Sequence, residues 1–196
     1  MGIGDWGLGP IPSPFGTLPE EIVRNSASCI SPTKAFNIAG IQIANIVAVE
    51  PEIVRKADRA INDNECCDVN VFGATALEAA YGKGGLWLDA LRKYLYDNYL
   101  AAKDFIAKEI PGAVVLPLEG TYLMWIDCRC ALHDGESPEG FSERFAEHLI
   151  HNCGLMLSTG TIYGEDGEGF ERMNIACPRV TLAEGLERLN KGFKTY

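Results

Sequence analysis

Apolar positions along this chain change period several times, and each change marks a predicted element. Across 86–109, Leu88, Leu91, Leu95, Tyr99, Ala102 and Ile106 recur every three or four residues, the stripe of a long helix that Pro111-Gly112 ends. "AVVLPLEGTYLMWIDCRC" then predicts two strands with a turn near Glu119-Gly120. Ser137-Pro138-Glu139 predicts a helix start, with Phe141, Phe145 and Leu149 on its apolar face and Gly154 as its stop. "GLMLSTG" and "FERMNIACP" read as short strands joined by an acidic, glycine-rich loop. Thr181 and Glu184 have capping-box spacing before a last helix with Leu182, Leu186 and Leu189 inward. The order after the long helix is thus β-β-α-β-β-α, a compact α+β or split α/β unit.

The first part of the chain reads differently. Residues 1–16 carry five glycines and three prolines, an irregular lead-in. A short helix over 18–24 precedes "SASCIS", predicted as a buried strand, and "AGIQIANIVAV", a second strand or buried segment. Pro51 opens a helix to about Asn62 with Ile53, Ala57 and Ile61 on one face, and "VNVFGATALEAAYG" is helical to Gly82. Two apolar strands are too few for a sheet of their own. The expected division is a lead-in at 1–16, a remnant of a larger α/β domain at 17–85, and a small domain with its long helix at 86–196.

Composition narrows the function class. The chain has 196 residues, 47% hydrophobic and 22% charged, as in globular domains. Its net charge of −10 and the scatter of its 17 basic residues speak against nucleic acid. No apolar run suggests a membrane span, and the start lacks the pattern of a signal peptide. Seven cysteines include no CxxC pair; Cys66 and Cys67 are neighbours, and Cys128 and Cys130 are predicted on one strand face. That set fits a reducing cytoplasm and no structural metal site.

Candidate chemistry is sparse. Lys34 is the single charge in "SPTKAFNIAG". Pattern alone favours a lysine snorkelling to the surface; the alternative is an amine that forms a Schiff base. Ser31 and Thr33 place hydroxyls beside it, suited to an anion such as phosphate. Arg179 follows an apolar strand and is either a surface ion pair or a bidentate carboxylate ligand, with Arg172 as its competitor. His148, His151 and Cys153 lack a further ligand at metal spacing and read as solvated helix residues. The run 158–161 lines a pocket or forms a strand-end turn.

"SPTKAFNIAG", "VFGATALEAAY", "LEGTYLMWID" and "FERMNIACPR", in this order, resemble four motifs of fold type I pyridoxal-phosphate enzymes. The resemblance is to the class I/II aminotransferase superfamily, in its cystathionine β-lyase subgroup, over residues 14–196. It implies the C-terminal part of that α/β fold: a remnant of the large-domain sheet plus the whole α+β small domain. It implies pyridoxal 5′-phosphate as cofactor, Lys34 as its Schiff-base lysine and general base, and Ser31 with Thr33 at the phosphate. Arg179 would bind the α-carboxylate of an amino-acid substrate resembling cystathionine or cysteine.

The implied activity is a carbon–sulfur β-lyase releasing thiol, pyruvate and ammonia, or an aminotransferase; the alternative is an inactive fragment or paralogue serving only association. Gln42 stands where aminotransferases carry a phosphate-binding arginine, which leans toward the lyases. The aspartate that pairs with the cofactor's ring nitrogen has no counterpart before Lys34. Expected partners are therefore a second copy, as a homodimer, or an N-terminal half.

Overall fold

Residues 15–63, 65 and 68–196 are described by the structure, a computed structural model. They fall into two compact units divided between Leu91 and Arg92. Most of the glycine-rich lead-in, and the Cys66-Cys67 pair, lie outside the described residues.

In the first unit a short helix α1 (Glu20–Val23) leads to two strands, β1 (Ser28–Ile30) and β2 (Asn45–Val47). They pair antiparallel, with Cys29 opposite Ile46. The expectation of burial fails here: Cys29, Ile30, Ile46 and Val47 are exposed. Strands rich in Ile and Val are built for cover on both faces, and among the described residues a two-stranded ladder provides none. Helix α2 (Pro51–Asp63) buries no residue; Ile53 and Ala57 are half-buried and Ile61 is exposed. Helix α3 (Val71–Lys83) is capped by Asn70, whose Oδ1 accepts the Gly73 N–H at 2.7 Å.

Helix α4 (Gly85–Glu109) runs across the division. Its stripe is buried from Leu95 through Tyr99 and Ala102 to Ile106, while Leu88 and Leu91 are half-buried. In the second unit β3 (Val114–Val115), β4 (Leu123–Asp127), β5 (Ser158–Thr159) and β6 (Phe170–Asn174) form an antiparallel sheet in the order β3-β4-β6-β5. Strict alternation buries Met124 and Ile126 on β4 against Met173 and Glu171 on β6. Helices α5 (Phe141–His148) and α6 (Arg179–Thr195) supply Phe141, Phe145, Leu182, Leu186 and Leu189 to the core. The β-β-α-β-β-α order is therefore present as expected.

Three local expectations are corrected. Helix α5 starts at Phe141, not at Ser137, behind Gly140 in the left-handed region. Its first donors are taken by Glu168, from the loop before β6: Gly140 N–H at 3.0 Å and Ser142 N–H at 2.8 Å. Helix α6 begins at Arg179 behind Pro178, so Thr181 sits inside the first turn and no capping box forms. β4 ends at Asp127; Cys128 turns into the core, and Cys130 lies in an exposed 3-10 turn, so the two share no strand face. Gly154 does end the helical run, at φ 64°.

Among the described residues no helix is long and apolar enough to cross a membrane.

Candidate active site

Lys34 lies in a tight turn between β1 and β2, exposed. Phe36 N–H donates to Pro32 O at 2.9 Å and Ile38 N–H to Thr33 O at 2.9 Å, which folds the main chain around the lysine. Asn37 and Gln42 both take the left-handed conformation, at φ 54° and 53°. For Gln42 that conformation costs roughly 1 kcal/mol, so the surrounding contacts must impose it.

Those contacts come from the neighbouring helices. Asn70 caps α3 with Oδ1, and its Nδ2 donates to Ile41 O at 2.6 Å, tying the helix start to the far end of the lysine turn. Phe36 stacks on Trp87 at 5.9 Å and meets Tyr81 edge-on at 6.2 Å. A Cβ at Gly84 would stand 2.4 Å from the Phe36 ring, so glycine at the α3–α4 break is what admits it.

The hydroxyls lie together. Ser31 Oγ donates to Ile43 O at 2.6 Å, accepts the Thr33 N–H at 3.2 Å and lies 2.8 Å from Thr33 Oγ1. The Ser31 proton is held by a carbonyl, so Thr33 donates within the pair and can swing its proton outward for one exposed hydrogen bond. Lys34 Nζ has no hydrogen bond or ion pair among the described residues. Two hydroxyls and a free amine on one braced turn suit a phosphate-bearing aldehyde, and the pyridoxal-phosphate group fits these residues on that count.

Arg179, in the second unit, opens α6 with an exposed side chain that has no partner among the described residues. Arg172 is otherwise engaged: its guanidinium lies 4.2 Å from the Tyr163 ring centroid and reaches Ser158 Oγ at 3.5 Å. The segment before Arg179 is held from α4. Asn98, fully buried, donates through Nδ2 to Ile175 O at 2.8 Å and Cys177 O at 3.1 Å. His148 is held by Thr195 and Asn152 at 3.0 Å each, and His151 is exposed. In the run 158–161, Ser158 and Thr159 form β5, and Gly160 helps line a cavity of about 330 Å³ with Trp125, Tyr163 and Phe170.

Asn70, Phe36 with Trp87, and Asn98 brace these segments without being given a role by the motifs. Asn70 had a signal, a cap residue just before an apolar helical run. Asn98 had a weaker one, a polar side chain inside the apolar stripe of α4.

Comparison with known proteins places this geometry. The fold is the C-terminal part of the pyridoxal-phosphate transferase fold: over 93% of this chain and 44% of its own, cystalysin from Treponema denticola, solved with pyridoxal 5′-phosphate, superposes with a TM-score of 0.84 at 32% identity. The C-S lyase from Staphylococcus hominis, also bound to the cofactor, matches at a TM-score of 0.76 and 30% identity, over 90% of this chain and 45% of that one. In sequence, the cystathionine beta-lyase PatB of Bacillus subtilis is 34% identical over 178 residues, 90% of this chain and 44% of the relative. The cystathionine beta-lyase of Corynebacterium glutamicum is 33% identical over 175 residues, 86% of this chain and 43% of the relative. No family model matches. The chain belongs to the fold type I pyridoxal-phosphate superfamily, in its cystathionine β-lyase group, and spans under half the length of these relatives.

Proposed function

We propose that this chain forms the C-terminal part of a pyridoxal-phosphate-dependent carbon–sulfur β-lyase acting on a cystathionine- or cysteine-like amino acid. An aminotransferase built on the same groups is the variant reading. The observation that carries the proposal is the braced turn that presents the free amine of Lys34 beside two hydroxyls. Lys34 attaches the cofactor and moves the Cα proton at Nζ. Thr33 donates to the phosphate, with Ser31 fixing its place. Arg179 pairs with the substrate carboxylate through its planar fork. When bound, the cofactor supplies the electron sink for the Cα carbanion. Gln42, where an aminotransferase arginine would stand, supports the lyase.

The test is chemical. The chain is mixed with pyridoxal phosphate, reduced with borohydride and mapped by peptide mass. A label at Lys34, absent in Lys34→Ala, is expected; a label at another lysine overturns the assignment.

A second reading, a module that acts only in association as a homodimer or with an N-terminal half, is favoured by the exposed apolar side chains of the first unit. Phe72 is 77% and Leu86 88% exposed, and the β1–β2 pair of the same unit is open as well. The free cysteines among the described residues support a reducing, cytoplasmic setting for either reading.

A further inference from the structure

Resting on the carboxylate reading of Arg179, we propose that Asn98 is a positioning residue, holding that arginine through the main chain of residues 175–178. Main-chain groups along this short link between β6 and α6 are tied from both sides. Ile175 N–H donates to Tyr122 O at 3.0 Å, and Ala176 N–H to Asn174 Oδ1 at 2.9 Å. The carbonyls of Ile175 and Cys177 both accept from Asn98 Nδ2, and Tyr94 Oη lies 3.4 Å from the second of them. Pro178 has no N–H and fixes its own φ at −56°. Arg179 is the next residue, so its Cα is rigid while its guanidinium is free.

The amide is assigned by its partners. Two carbonyls can only accept, so the nitrogen of Asn98 must face them. Its oxygen is then left in the interior with no hydrogen bond among the described residues. An apolar residue in the α4 stripe would spare that orphan atom and would not grip the link. The amide earns its place by gripping, with both donors of one side chain, a segment that ends in the arginine.

The experiment uses the full 196-residue chain, 15N-labelled, with L-alanine as probe and ethylamine as the control without a carboxylate. The Arg179 Nε–Hε resonance, identified by its loss in Arg179→Lys, is followed through the titration. A saturable shift with L-alanine is expected in the wild type, and a Kd at least fivefold higher in Asn98→Ala. In Asn98→Asp a protonated carboxyl can donate to one carbonyl, so its affinity should recover between pH 8 and pH 6 while the wild-type value stays flat. An unchanged Kd in Asn98→Ala, with or without a lower Tm, overturns the proposal. Should that variant not fold, Asn98→Ser, which keeps one donor, takes its place under the same criterion. A wild-type titration in which Arg179 does not respond to L-alanine instead overturns the carboxylate reading itself, and with it this one.

Discussion

Glu168 accepts the Ser142 N–H at 2.8 Å, so a carboxylate 26 residues further along the chain caps helix α5. Gly140 N–H occupies the second carboxylate oxygen, and Ser142 Oγ in return accepts the Gly169 N–H at 2.8 Å. The cap and the loop hold each other. Burial pushes the Glu168 carboxyl up, but these main-chain donors outweigh it and hold it below the usual range. Glu168→Gln loses one acceptor and the charge at a helix start, about 1–2 kcal/mol. Because the folded-state value is depressed, the contribution is present above the ordinary carboxylate range and disappears as pH falls through the folded value. Urea unfolding at pH 7 and pH 3 should show a large difference between the two proteins at the first and a small one at the second.

Glu171 behaves in the opposite sense. Its carboxyl is 1% exposed on the core side of β6, and burial, with the charge of Glu143, pushes it up to about 8. The folded chain keeps a proton that the unfolded chain releases near pH 4.5, so stability falls as pH rises from there toward 8. Glu171→Gln removes that slope. The variant should match the wild type at pH 4 and exceed it at pH 8, by on the order of 3 kcal/mol.

The lysine turn gives a third expectation. Asn70→Ala removes both the α3 cap and the tie to Ile41 O, at a cost of about 1–2 kcal/mol. Amide exchange at residues 41–43 and 73–74 should quicken together, while the second unit keeps its wild-type rates.

Gly160 and Gly167 approach so closely that a Cβ on either would stand 2.1 Å from the other's carbonyl oxygen. Neither atom can yield without moving main chain. Gly160→Ala should destabilise the second unit by more than about 3 kcal/mol, seen as a lower urea midpoint.

The exposed apolar side chains of the first unit make association the expected outcome. Val71 is 80% exposed next to Phe72, and Ile30 and Ile46 are uncovered on the strand pair. Sedimentation of the full chain should give a dimer or larger species, and Phe72→Lys with Leu86→Lys should shift it toward monomer.

What could be read in the sequence were the features set by local period. The stripe of α4, the alternation on β4 and β6 and the leucines of α6 each follow from neighbours a few residues away. What could not be read depends on partners distant in the chain. Ser137 looked like the cap of α5 because nothing local showed Glu168 arriving from the next loop. Thr181 looked like a cap because Pro178 starts α6 earlier than the pattern suggests. The two apolar strands predict burial because their composition reflects cover that the described residues do not supply. At the proposed site, the motifs point to Lys34 and Arg179. Asn70 and Asn98 act on main-chain carbonyls of nearby segments, and a carbonyl leaves no trace in sequence.

The stack of Phe36 on Trp87 has an optical consequence. The indole sits on a ring only two residues from Lys34, so its emission reports the state of that turn from within. Trp125, packed against Tyr163 and Phe170 in the second unit, offers a separate signal from the same cuvette. With Trp6 replaced by phenylalanine, replacing either of these two indoles in the same way isolates the other, and occupancy at the lysine can then be followed without any added dye.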